Sequence, residues 1–201
     1  MRIIGGSRRG LKLAEVGAGD VAAHLRPTSD RVREAIFNLL INAHGNPVTG
    51  ARVLDLFAGT GALGFEALSR GARHCQFVDE NAEARGLVRT NADKLGVIGQ
   101  CKIWRRDATD LGPCAPLPRF DLVFADPPYG KGLGTKALQA LVQGEWINAG
   151  AIVVLEENEK AEVPEVAGLT LIDERGYGET KVRFYRFSPP LREREKLPPA
   201  E

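Results

Sequence analysis

The 201-residue chain has only three cysteines and three histidines, and their placement excludes several chemistries before any motif is read. Cys75, Cys101 and Cys114 are odd in number, scattered and without a C-x-x-C pair, which argues against both a disulfide framework and a zinc site. His24, His44 and His74 have neither metal-ligand nor triad spacing, so no metal is expected. No stretch approaches the ~18 continuous apolar residues of a membrane span, and the start, with Arg2 and then Gly5-Gly6, lacks a signal-peptide apolar region. The expectation is a cytoplasmic protein with reduced thiols and no membrane partner. Charge of one sign is lacking too: 27 Lys+Arg against 26 Asp+Glu leave a formal net charge of +1. Any nucleic-acid site must therefore be local.

What is present is an ordinary globular composition, 43% hydrophobic and 26% charged, at a length that suits one domain with a small appendage. The first twelve residues hold Arg2, Arg8, Arg9 and Lys12 and no acid, with Arg26, Arg31 and Arg33 following. This is either a solvated charged face or a local polyanion contact. Residues 2–4 and 9–13 read as two short strands around Gly5-Gly6-Ser7, giving a basic hairpin. Pro27, Thr28, Ser29 and Asp30 mark a helix start, and Val32, Ala35, Ile36, Leu39 and Leu40 form its apolar stripe, ending before Gly45-Asn46-Pro47.

From Arg52 the rhythm becomes short apolar runs alternating with helical stretches, the pattern of parallel strands joined by crossover helices. Strands are predicted at residues 52–56, 74–78, 101–105, 120–125 and 151–155. Helices are predicted at 62–70, 82–95 and 133–143, closed by Gly71, Gly96 and Gly144 in left-handed caps. Residues 169–174 and 181–187, separated around Gly176-Tyr177-Gly178, are too close for a parallel crossover and predict an antiparallel hairpin. The tail from residue 188, rich in proline and mixed charge, is expected to be disordered.

Asp55-Leu56-Phe57-Ala58-Gly59-Thr60-Gly61-Ala62-Leu63-Gly64 joins the first parallel strand to a helix through glycines that let backbone approach a ligand. Its Gly59-x-Gly61-x-x-Gly64 spacing fits a dinucleotide fingerprint, so a nicotinamide oxidoreductase is one reading. Asp55 tilts the balance, since an acid just before the glycines repels a pyrophosphate but accepts hydrogen bonds from a cationic amino-acid moiety such as that of S-adenosylmethionine. Asp79 ends the second strand and suits ribose hydroxyls in either kind of site. Asp107, after the third strand, suits an adenine amino group or serves as a helix cap. Asp126-Pro127-Pro128-Tyr129 follows the fourth strand. Its prolines make a rigid turn that aims a carboxylate and a bare carbonyl at one point, and Tyr129 offers a stacking face.

D-P-P-Y together with D-x-F-x-G-x-G resembles the amino-methyltransferases that act on exocyclic nitrogens of adenine, cytosine or guanine, a logic shared with enzymes acting on protein glutamine. A longer resemblance, over roughly residues 1–187, is to the RsmD family of 16S rRNA guanine-N2 methyltransferases. It is carried by Arg2-Ile3-Ile4-Gly5-Gly6, by Leu25-Arg26-Pro27-Thr28 with Asp30-Arg31-Val32-Arg33-Glu34-Ala35-Ile36-Phe37-Asn38, and by Asp55 to Gly61. The resemblance implies an α/β, Rossmann-like class I S-adenosylmethionine-dependent methyltransferase. Its sheet has seven mostly parallel strands with an antiparallel last strand, and a small N-terminal β-hairpin extension precedes it. Residues 1–25 would be the extension, 26–187 the methyltransferase domain and 188–201 the tail. The target would be guanine-966 of 16S rRNA, free or in the small subunit, and the enzyme a monomer.

Motifs and resemblance together assign Asp55, Phe57, Gly59, Thr60, Gly61, Asp79, Asp107 and Ala108 to S-adenosyl-L-methionine, and Asp126, Pro127 and Tyr129 to catalysis. Arg2, Arg8, Arg9, Lys12 and Arg26 are assigned to RNA. Other members of that family can carry Phe where this chain has Tyr129, so the hydroxyl is given no essential role. A non-catalytic ribosome-binding factor of the same fold is disfavoured because every expected cofactor contact is present.

Overall fold

The computed structural model describes residues 1–15 and 29–189; the whole Leu25 to Thr28 motif, Arg26 included, and nearly all of the tail lie outside the described residues. Seven strands form one sheet: β1 (Arg52–Leu56), β2 (His74–Val78), β3 (Cys101–Trp104), β4 (Phe120–Ala125), β5 (Ile147–Asn158), β6 (Leu169–Tyr177) and β7 (Thr180–Phe187). Their order is β3-β2-β1-β4-β5-β7-β6. The first five run parallel, and β7 lies antiparallel between β5 and β6. The helices are α1 (Asp30–Asn42), α2 (Ala62–Ser69), α3 (Ala82–Lys94) and α4 (Leu133–Gln143).

Strand side chains alternate between two apolar layers, as period-2 geometry requires. Val53, Leu122, Phe124, Ile152, Val154, Val182 and Phe184 pack with α1, α2 and α3, while Leu54, Val123, Ala125, Val153, Leu155 and Tyr185 pack with α4. Both faces are covered, which is why the central strands read as nearly continuous apolar runs.

Several expectations need correction. Residues 2–4 and 9–13 are not two full strands: one Arg2–Lys12 bridge and the bonds Ile3 N to Leu11 O, Gly10 N to Ile3 O and Leu13 N to Met1 O hold a hairpin-like arm with a 3-10 turn at Gly6–Arg8. Gly6 is at φ 77°, and an added Cβ would lie 1.9 Å from the Ser69 carbonyl oxygen, so the tip admits no side chain. The buried stripe of α1 is Arg33, Ile36, Phe37 and Leu40, rotated from the one expected. Arg33 is fully buried and donates to the Arg2 carbonyl and to Asp30, so it does not belong to the basic surface. Gly71 and Gly96 take left-handed conformations, but Gly144 does not, and Glu145 carries the positive φ instead. Gly144 is required for space, since a Cβ there would lie 2.2 Å from the Gly112 carbonyl.

Every residue of α2 is buried, because the sheet covers one side and the arm the other. The polar side chains of α2 hold that arm. Glu66 accepts from the Ile4 and Gly5 amides, both at 2.8 Å, and from Arg70 at 2.7 Å; Ser69 donates to the Gly5 carbonyl and accepts from the Arg8 amide. Asn91 of α3 is fully buried and bonds Ala14 through both its amide and its carbonyl, while donating to the Thr60 carbonyl at 3.0 Å. The arm is thus an integral layer of the core.

Candidate active site at the carboxyl ends of the strands

Because β3, β2, β1 and β4 are parallel neighbours, their carboxyl ends lie along one edge, where open α/β sheets bind ligands. All four acidic residues singled out from the sequence fall at that edge. Asp126 follows β4 directly, and its amide reaches the Leu56 carbonyl of β1 at 3.5 Å, so the acid-proline turn and the glycine loop are adjacent.

In the glycine loop φ is positive at Phe57 (57°), Gly59 (55°) and Gly61 (78°). For Phe57 this is a strained conformation of the kind that accompanies functional loops. Three contacts fix the loop: Ala58 N to Val78 O at 3.1 Å, Gly59 N to Asp79 Oδ2 at 2.9 Å, and Asn91 Nδ2 to Thr60 O. A Cβ on Gly61 would sit 2.5 Å from the Phe65 ring. Gly61 is therefore required where the loop packs against the buried Phe65 and Phe77 rings.

Asp55 is one residue inside the strand end and only 2% exposed, and its Oδ2 accepts from the Gly64 amide at 2.9 Å. It satisfies an amide in the first turn of α2 that Gly61, the residue before the helix, has no side chain to satisfy. Burial pushes its carboxyl up to about 8, against the pull of the Gly64 bond. Asp79 is half-buried. Its Oδ1 accepts from the Asn81 amide, which helps set the start of α3, where Asn81 is the cap. Asp107 lies after β3; its Oδ1 accepts from both the Thr109 amide and hydroxyl at 2.7 Å, and Ala108 beside it is buried.

In the acid-proline turn Asp126 is half-buried, Pro127 buried and Pro128 exposed. The Tyr129 hydroxyl lies 2.8 Å from Thr180 Oγ1 and donates to Glu156 Oε1 at 3.3 Å. Burial raises its pKa, and the neighbouring Glu156 and Asp126 charges act in the same direction, so the phenol stays protonated. Glu156, Glu157 and Thr180 were not singled out from the sequence. Their signal was an acid pair closing an otherwise apolar strand, a place where solvent exposure is the usual reading.

The basic arm divides into two groups. Arg9 and Lys12 are exposed, and Arg2 is exposed beside Asp30 at 3.6 Å. Arg8 is turned inward: its Nε donates to the Leu95 carbonyl at 2.8 Å and its NH1 to Ser7 Oγ. Among the described residues no group of acids, histidines and cysteines suits a metal ion, and no helix is long and apolar enough to cross a membrane.

Comparison with known proteins adds the following. Residues 1–186 match the family model described as Conserved hypothetical protein 95. Bacillus subtilis YlbH is 37% identical over 190 residues, spanning 92% of this chain and 98% of that protein. The Haemophilus influenzae Ribosomal RNA small subunit methyltransferase D is 32% identical over 188 residues, 92% of this chain and 93% of its own. The solved structure of Escherichia coli yhhF superposes with a TM-score of 0.77 at 32% identity, covering 94% of this chain and 99% of that one.

Proposed function

We propose a function from one premise: the chain belongs to the family described as Conserved hypothetical protein 95, the RsmD family. It is an S-adenosylmethionine-dependent rRNA methyltransferase that acts on the exocyclic N2 amine of a guanine in 16S rRNA, guanine-966 being the position its resemblance implies. The observation that supports this reading is the 3.5 Å contact between the Asp126 amide and the Leu56 carbonyl, which sets an acid-proline turn beside the glycine loop.

The residues present fit such a cofactor. Bare backbone at Gly59 and Gly61 suits close approach, Asp79 suits the ribose hydroxyls, and Asp107 with Ala108 suits the adenine. An ammonium above the loop would favour the ionised form of Asp55. When bound, S-adenosylmethionine supplies a methyl group already activated by a sulfonium. The protein's own task is to position a poor nucleophile and exclude water.

The N2 amine of guanine shares its lone pair with the ring. Asp126 and the Pro127 carbonyl accept its two hydrogens and turn the lone pair toward the methyl group, preorganised electrostatics of ~3 kcal/mol per group. After transfer the nitrogen is strongly acidic and its proton leaves without a histidine. The base must first leave its stack, and the Tyr129 ring replaces one lost neighbour. Arg2, Arg9 and Lys12, with Arg26, hold phosphates, and the enzyme works as a monomer in the cytoplasm.

The test is incubation of the purified protein with isotopically labelled S-adenosylmethionine and unmodified 16S rRNA, followed by nucleoside mass spectrometry. The expected product is N2-methylguanosine at one site. Methylated adenosine or cytidine instead would move the assignment to another base, and no labelled nucleoside would remove it.

A further inference from the structure

The pairing of β4 with β5 runs through Ala125 and Leu155. The residues that follow are both acids, Asp126 in the turn after β4 and Glu156 still within β5, and the charges of both reach Tyr129. Paired residues of parallel strands project to the same face. On β5 that face is shared by Asn158, which pairs with Thr180 of β7. Glu156 and Thr180 are each 6% exposed, and both meet the Tyr129 hydroxyl. Asp126, Glu156 and Thr180 thus gather round Tyr129 as one wall beside the acid-proline turn. Glu157 belongs to the other face. It accepts from the Gly130 amide and lies against Gly134 of α4, so it takes no part in that wall.

The chemistry of the bases gives this wall a meaning. Beside its N2 amine guanine carries N1–H, a donor, whereas adenine has at N1, and cytosine at N3, a lone pair next to the exocyclic amine. A carboxylate beside the one that holds the amine accepts the guanine N1–H and repels the lone pair of the other two bases. A carboxylate offers about four lone-pair positions, so a bond from Tyr129 does not by itself fill it.

We propose that Glu156 is the specificity-determining residue for guanine, accepting N1–H of the extruded base while Asp126 holds N2. This rests on the guanine reading above and adds how the site rejects adenine and cytosine. Sites built to hydrogen-bond a polar group discriminate strongly against analogues that lack it, because the protein partner is left unpaired.

The experiment uses a 16S rRNA fragment whose target guanine, located by the wild-type reaction, is replaced by 2-aminopurine. That base keeps the 2-amine but has a lone pair at N1. Wild-type kcat/KM on the 2-aminopurine fragment should fall ~10²-fold or more below guanine. In Glu156→Gln, whose amide can donate to N1, the gap should narrow to within ~10-fold, with S-adenosylhomocysteine binding by calorimetry unchanged. Tyr129→Phe removes the bond to Glu156 and should keep the wild-type ratio, which separates base reading from support of Tyr129. Equal wild-type rates on the two fragments overturn the proposal without any variant. A ratio unmoved by Glu156→Gln, or moved equally by Tyr129→Phe, overturns it too. Both results would leave guanine methylation standing, whereas a wild-type enzyme that methylates no guanine ends both readings.

Discussion

The carboxylate of Asp79 and the amide of Gly59 lie 2.9 Å apart, so the end of β2 grips the loop that leaves β1. Loop shape, and in the proposed site the ribose contact as well, thus depend on one side chain. Asp79→Ala should lower cofactor affinity by ~10-fold or more, the loss of a charge-assisted bond of about 1.5–3 kcal/mol. Titration calorimetry with S-adenosylhomocysteine measures it, and an unchanged affinity takes Asp79 out of the site.

Asp126→Ala should behave differently. Cofactor binding should persist while turnover drops by a factor of ~10² or more, the cost of losing one preorganised acceptor. Single-turnover methyl transfer to rRNA gives the rate, and near-normal turnover would contradict the role given to this carboxylate.

Asp55 imposes a pH dependence on stability. Burial holds its folded pKa at about 8, above the ordinary carboxylate value of 3.8, so between these pH values the unfolded chain releases a proton that the native state keeps. The stabilisation is full below pH 3.8 and is lost as pH rises to about 8, with a slope of at most about 1.4 kcal/mol per pH unit. Asp55→Asn keeps an acceptor for the Gly64 amide and removes the titration. Its urea midpoint should therefore vary less than the wild-type midpoint between pH 5 and pH 8; parallel profiles would refute the shift.

Neutralising Arg9 and Lys12 together should weaken RNA binding and flatten its dependence on log salt by about two units, roughly one per phosphate contact. Arg8→Ala should instead lower thermal stability, because its Nε bond to the Leu95 carbonyl is structural. An Arg9/Lys12 variant with the wild-type salt slope would place the RNA contact elsewhere.

Removing the Glu66 carboxylate exposes how the arm is held. Glu66→Ala leaves the Ile4 and Gly5 amides and Arg70 without their acceptor and should cost ~3 kcal/mol or more, read as a lowered urea midpoint. A loss under 1 kcal/mol would mean that the apolar contacts of Ile3 and Leu13 suffice.

Periodicity placed the strands and helices of the sheet within a few residues of their observed ends, β5 excepted, because the two layers bury successive side chains alternately and glycines punctuate the crossovers. The glycine loop and the acid-proline turn were legible for a different reason: each concentrates rare residue types in a few positions directly after a strand. Less legible were features fixed by distant partners. The rotation of α1 depends on Arg33 finding the Arg2 carbonyl and Asp30, and no local pattern announces a buried guanidinium. Gly144 resembles a left-handed cap in sequence, yet it serves the close passage of the Gly112 carbonyl. Glu66, Ser69 and Asn91 look like the polar positions of ordinary helices. Only the wholly apolar remainder of α2 signalled that a further layer had to cover it.

The anchoring of the arm also sets an order of events during synthesis. Residues 4, 5 and 8 meet α2 partners 61 or 62 positions downstream, Ala14 meets Asn91 77 positions on, and the Arg8 side chain meets Leu95 87 positions on. Residues 4, 5, 8 and 14 thus wait for α2 and α3 to emerge from the translating ribosome before they can dock, and contacts of such sequence separation are slow to close. Until then the nascent chain carries Ile3 and Leu13 bare, an interval in which a chaperone that recognises exposed apolar side chains would find it.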